Sequence, residues 1–161
     1  AQNRDNKKSE AWFYVTRATY SLAVLHYEQK NWNKATQLLN DLILASLAGL
    51  KTPMNSEKQI GVFLGYIINS LNLIPGLLRQ GIVEKESRQA VKETITALKT
   101  RLLDLSQEHP LLSQAKEKIY PVESSLLNSH STEFFEPILQ SVPSNEGKSS
   151  NIQAIPGMKI H

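Results

Sequence analysis

Cysteine is absent from all 161 residues. That excludes disulfides, thiolate metal ligands, c-type haem attachment and cysteine catalysis together, and it fits any cellular compartment. A surplus of one charge is also lacking: eighteen basic residues face fifteen acidic ones, largely interspersed, for a formal net charge of +3. A nucleic-acid interface gathers its basic residues on one face. The compact basic clusters here are Arg4/Lys7/Lys8 and Lys116/Lys118. They read as ordinary solvated surface, so no nucleic-acid partner is expected. No stretch alternates apolar and polar residues in the manner of a half-buried strand.

Sites of chemistry are equally scarce. None of His26, His109, His130 and His161 has a Glu or a second His three or four residues away within a predicted helix. The Glu-x-x-His pattern of two-metal bundles and the His-Glu-x-x-His zinc pattern are therefore missing. Glu108 and His109 are adjacent, which sends them to different faces. There is no glycine-rich phosphate loop and no Gly-x-Ser-x-Gly elbow. The sequence implies no catalytic residue, no metal and no cofactor, and the expectation is a chain that is not an enzyme.

What is present is helical periodicity. Residues 1–8 are polar and charged, carry no apolar anchor, and are expected to be disordered. Ser9 suits a helix N-cap, and a helix is predicted from there to about residue 29. It is apolar on two sides, one with Trp12, Val15, Leu22 and His26, the other with Phe13, Tyr20, Val24 and Tyr27. Gln29-Lys30-Asn31 breaks it. A second helix over residues 32–50 carries Ala35, Leu38, Leu39, Leu42 and Ile43 at helical spacing. So short a connection makes the pair an antiparallel hairpin. Pro53 marks a loop over residues 51–55. Ser56 should cap a third helix carrying Ile60, Phe63, Leu64, Ile67, Ile68 and Leu71, with a kink or stop near Leu73 ahead of Pro75 and an end at Gly81.

A fourth helix is predicted over residues 83–108, where Val91, Ile95, Leu98, Leu102 and Leu105 form a heptad seam. Pro110 can open a short fifth helix that closes at Pro121. Beyond Leu127 the composition turns to Ser, Asn, Pro and Gly, with the apolar pairs Phe134-Phe135 and Ile138-Leu139 as short docking motifs. The expected architecture is all-α: an antiparallel bundle of four to five helices over residues 9–127, then an irregular Pro/Ser-rich tail over 128–161, free or draped over the bundle.

Residues 60–78 approach the length of a membrane span without a charge. Asn69, Ser70 and Asn72 interrupt the run and Pro75-Gly76 breaks it, so a buried central helix is the better reading and membrane spanning is not expected. Gly61 and Gly65 would let that helix pack closely on a bulky neighbour such as Trp12 or Trp32. The small polar start Ala1-Gln2-Asn3 suits the mature end of an exported or periplasmic chain. A trimmed or cytoplasmic chain would look the same.

The run from Tyr20 to Tyr27, followed by Asn31-Trp32-Asn33-Lys34-Ala35 and Leu38-Leu39, resembles a tetratricopeptide repeat. Leu22 and Ala23 fit the large-then-small pair of that family's first helix, Asn31 and Trp32 its turn, and Ala35 the small residue early in its second helix. The likeness covers residues 16–50. Thr19 departs from the family's tryptophan, His26 from its tyrosine and Leu47 from its closing proline. The resemblance implies a peptide-binding face on the inner side of the first helix, at Arg17, Tyr20, Val24, Tyr27 and Glu28. The alternative for Tyr20 and Tyr27 is packing on the third helix. The functional expectation is an interaction module, whether adaptor, chaperone-like protein or scaffold, that binds a peptide or helix of a protein partner. The alternatives are a self-associating bundle (a homo-oligomer, such as an exported stress or envelope protein) and a small-molecule-binding bundle.

Overall fold

The chain has neither proline nor glycine before Gly49, so the one break between Gln2 and Leu50, at residues 29–31, is made without either of the usual helix breakers. A computed structural model describes residues 2–52, 56–80, 83–105 and 109–134, with side chains described for Lys8 and from Glu10 to Leu127 within those ranges. Five helices and no strand occur among the described residues: α1 (Gln2–Glu28), α2 (Trp32–Leu50), α3 (Glu57–Arg79), α4 (Lys85–Asp104) and α5 (Pro110–Phe134). The all-α bundle expected from the sequence is what forms. The Pro53 loop, the Gly81 stop and the tail beyond Phe134 lie outside the described residues.

The turn between α1 and α2 closes through two backbone bonds. The Lys30 amide donates to the Tyr27 carbonyl at 3.1 Å and the Asn31 amide reaches back to the His26 carbonyl at 2.9 Å. This is a Schellman ending, and it places Lys30 in the left-handed region at φ 63°. The Asn31 side-chain amide donates to His26 Nδ1 at 3.1 Å, so His26 serves the turn. Ser56 caps α3 as expected. Its hydroxyl accepts from the Gln59 amide at 3.2 Å while the Gln59 side chain accepts from the Ser56 amide at 2.9 Å, a complete capping box.

Four helices differ in extent from the expectation: α4 is confined to Lys85–Asp104, with Glu84 and Leu105 extended at its two ends, and the other three differ as follows. The backbone is helical from Gln2, through residues read as disordered, because α1 continues upstream of Ser9 without a breaker. α3 runs through Pro75 to Arg79. Proline removes one intrahelical donor, but Ile74, Pro75, Gly76, Leu77 and Leu78 are all buried, and their packing holds the turn. α5 passes through an exposed Pro121 to Phe134, fourteen residues beyond the expected end at Tyr120.

Helix neighbours define the architecture. α2 packs on α1, α3 and α4, while α5 packs on α3 and α4. Helices α2, α3, α5 and α4 thus form a ring in that order, and α1 lies outside it along α2 with an edge on α3. Directions follow from cross-helix contacts. Asn33 Oδ1 accepts from the Glu84 amide at 2.9 Å and Gln37 reaches Ser87 at 3.2 Å, so α2 and α4 run parallel. Lys99 meets Glu123 at 3.0 Å, and earlier on α4 the residues around Lys92 share a cleft with Leu126 and Leu127, so α4 and α5 are antiparallel. Phe13 stacks on Phe63 at 4.7 Å and Tyr20 meets Tyr66 in a tilted contact at 5.6 Å, which sets α1 parallel to α3. The expected antiparallel bundle is therefore mixed: sequential helices alternate in direction, but α2/α4 and α3/α5 are parallel neighbours.

The core runs along α2 and α3. Twelve residues of α3 are buried, among them Phe63, Leu64, Ile67, Leu71 and Ile74. α3 is the one described helix long and apolar enough to cross a membrane, and here its apolar residues face α2 and α5. The α4 seam of Val91, Ile95, Leu98 and Leu102 is also buried. His109 ties two helix starts together. Its Nε2 donates to the Glu57 carbonyl and its Nδ1 accepts from the Leu111 amide, both at 3.1 Å. Gly61, not a tryptophan, meets this imidazole: a Cβ there would sit 3.2 Å from Nε2, while Gly65 faces open space.

Candidate interaction surface

α1 is apolar on two opposite sides, and only one of them is covered. The inner side holds Phe13, Thr16, Tyr20, Ala23 and Tyr27. Thr16 is fully buried and satisfied, its hydroxyl donating to the Trp12 carbonyl at 2.9 Å. Tyr27 is 3% exposed and meets Trp32 edge-on at 5.5 Å. Its hydroxyl has no hydrogen-bond partner among the described residues, and burial pushes its pKa up to about 12.

The outer side carries Ala11, Val15, Ala18, Leu22 and Leu25, all exposed, with Tyr14 beside them. Their spacing is four, three, four, three, that of a seam for another helix. In water a helix gains nothing from such a stripe, which normally marks the face that packs. The exposures decide the point: Tyr14 is 64%, Leu22 48% and Leu25 47% exposed, against 1% for Ala23 between them. The small Ala11 and Ala18 leave room for a close backbone.

The five residues implied by the repeat resemblance share one stripe of α1 but differ in exposure. Tyr20 and Val24 are half-buried and Tyr27 is buried, while Arg17 and Glu28 are exposed. Tyr20 packs on Tyr66 of α3, as the alternative reading of that tyrosine expected. Tyr27 finds Trp32 of α2 instead. The residues that sequence reasoning missed are Ala11, Tyr14, Ala18 and Leu25. Their four-three spacing with Val15 and Leu22 was the available signal, hidden because the same helix is apolar on its other side.

Among the described residues, concavities also lie elsewhere. Between α4 and the second half of α5 is a cleft of about 430 Å³ with Ile95, Leu126 and Leu127 on its apolar lining and Lys85, Arg88 and Lys92 at its rim. Between α2 and α4 is a polar recess of about 250 Å³ formed around Gln37, Asn40, Asp41, Glu86 and Ser87. Desolvation there raises the Asp41 carboxyl above its usual range, and Lys34 pulls it the other way. No three His, Asp or Glu side chains gather to hold a metal among the described residues. No family model, curated protein or solved structure matches this chain.

Proposed function

We propose that this chain is a helix-binding interaction module, and that the outer seam of α1 receives a helix of a protein partner. The observation that carries the proposal is the exposed four-three row from Ala11 to Leu25, on the side of α1 opposite the core. The row rises about 21 Å along the helix, enough for a partner helix of about three to four turns. Covering its half-exposed leucines, valine and tyrosine would yield about 3–6 kcal/mol of gross hydrophobic gain, the scale of a reversible contact. The repeat-like pattern over residues 16–50 supports the same reading. In it, the hairpin supplies the rigid scaffold and the contact lies on the outer side. The heptad seam of α4 and the apolar run of α3 are spent on the core.

The test is selection of helical peptides from a displayed library, followed by titration against the Leu22→Asp and Leu127→Asp variants. Binders lost with Leu22→Asp and kept with Leu127→Asp support the proposal; binders indifferent to Leu22→Asp overturn it. Light scattering across concentration supplies the second arm. A dimer that Leu22→Asp splits would replace the foreign helix with a second copy of this chain.

A further inference from the structure

The α4/α5 cleft is a different surface from the α1 seam, and the chain itself carries a matching segment. The apolar lining from Ile95, Leu126 and Leu127 is open enough that Leu127 is 71% exposed. Lys85 and Lys92 stand exposed at the rim, and the Arg88 guanidinium, which donates to the Val83 carbonyl at 2.9 Å, lies between them. Glu123, the acidic residue of the lining, is engaged with Lys99 at 3.0 Å. The cleft therefore selects an occupant with apolar side chains and negative charge.

α5 delivers such a segment. Residues 131–146 carry Glu133, Glu136 and Glu146 and no Lys or Arg, and Phe135, Ile138, Leu139 and Val142 fall within eight residues of one another. Pro137 disfavours helix at Glu136, which suits a chain that must turn back after α5. The distances fit. α5 rises about 10 Å from Leu127 to Phe134, and five further residues span up to about 17 Å when extended. Residues 138 and 139 therefore reach the cleft from the end of the helix that forms one of its walls. A short tether also gives the segment a high effective concentration, so a weak contact suffices.

We infer that residues 135–142 of the same molecule occupy the α4/α5 cleft, with Ile138 and Leu139 on Ile95, Leu126 and Leu127, and Glu136 toward Lys85 and Lys92. The absence of native cysteine permits a clean experiment on the full chain: Ser144→Cys, labelled with a nitroxide, read through the methyl signals of the bundle. Docking predicts that Ile95, Leu126 and Leu127 lose more than half their intensity relative to the reduced label, while Leu22 and Leu25 on α1 keep theirs. Adding Ile138→Asp and Leu139→Asp should restore the lost intensity, because the label stays tethered and only the contact goes. Unbroadened cleft methyls, or broadening that survives both aspartates, overturn the inference. A mixture of spin-labelled chain and isotope-labelled chain separates the sources: broadening across molecules would hand the cleft to a second copy's segment and overturn the intramolecular contact.

Discussion

Helices α1 and α3 differ in what their apolar residues meet. Of 27 and 23 residues respectively, both are apolar on more than one side. α3 sits in the ring with α2 on one side and α5 on another, and twelve of its residues are buried. α1 sits outside the ring, and everything it offers on its far side stays in water. Burial is thus decided by how many neighbours a helix has, which composition alone does not reveal.

The comparison breaks most visibly at Phe63. This side chain is fully buried, stacked on Phe13, and so close to Gly49 that a Cβ at that glycine would run into its ring. Phe63→Ala should cost about 3–5 kcal/mol in urea denaturation, from lost transfer energy and the cavity left behind. A cost below about 1 kcal/mol would mean that the junction of α1, α2 and α3 is looser than described.

The inner side of α1 gives the next largest effect, through Tyr27. Its folded pKa, about 12, stands above the ordinary tyrosine value of 10.0. The folded state therefore holds the phenolic proton more tightly than the unfolded chain. Stability from this group is fully present below pH 10 and declines as pH rises toward 12, by about 2–3 kcal/mol in total. Tyr27→Phe should remove that decline, read as the difference between the two proteins' denaturation midpoints across this pH range. An identical decline in both would place the phenol in contact with water.

The smallest effect belongs to the outer side. Leu22→Ala should change stability by no more than about 0.5 kcal/mol, as expected of a residue that packs on nothing in the monomer. A large loss, measured on the same urea curves, would show that the seam is already covered by another copy.

Much of this was legible in the residues. Gln29-Lys30-Asn31 announced the hairpin, Ser56 announced the α3 cap, and the four-three row of α4 announced a buried seam. The misreadings have physical causes. Pro75 and Pro121 remove donors, but a buried or well-supported turn tolerates that loss, and no local pattern reports support from a neighbouring helix. The N-terminal stretch looked unstructured because it lacks an apolar anchor, yet it extends a helix already nucleated downstream, which costs far less than starting one. Periodicity found two apolar sides on α1 and could not rank them. The order follows only from where α3 lies, and Tyr20 and Tyr27 drew attention to the inner side because they are large.

The ring order also carries a consequence in time. α3 is sandwiched between α2, made before it, and α5, whose first residue follows Arg79 by 31 positions and whose last follows it by 55. At a synthesis rate of about 5–20 residues per second, the α5 face of α3 stays uncovered for about 3–11 seconds after α3 itself is complete. During that interval the nascent chain presents its most apolar helix to whatever is nearby. The His109 link between the starts of α3 and α5 then closes a loop of 52 residues. A contact so distant along the chain forms late and slowly, so the α1–α2 hairpin has time to fold first and meet α3 as a finished surface.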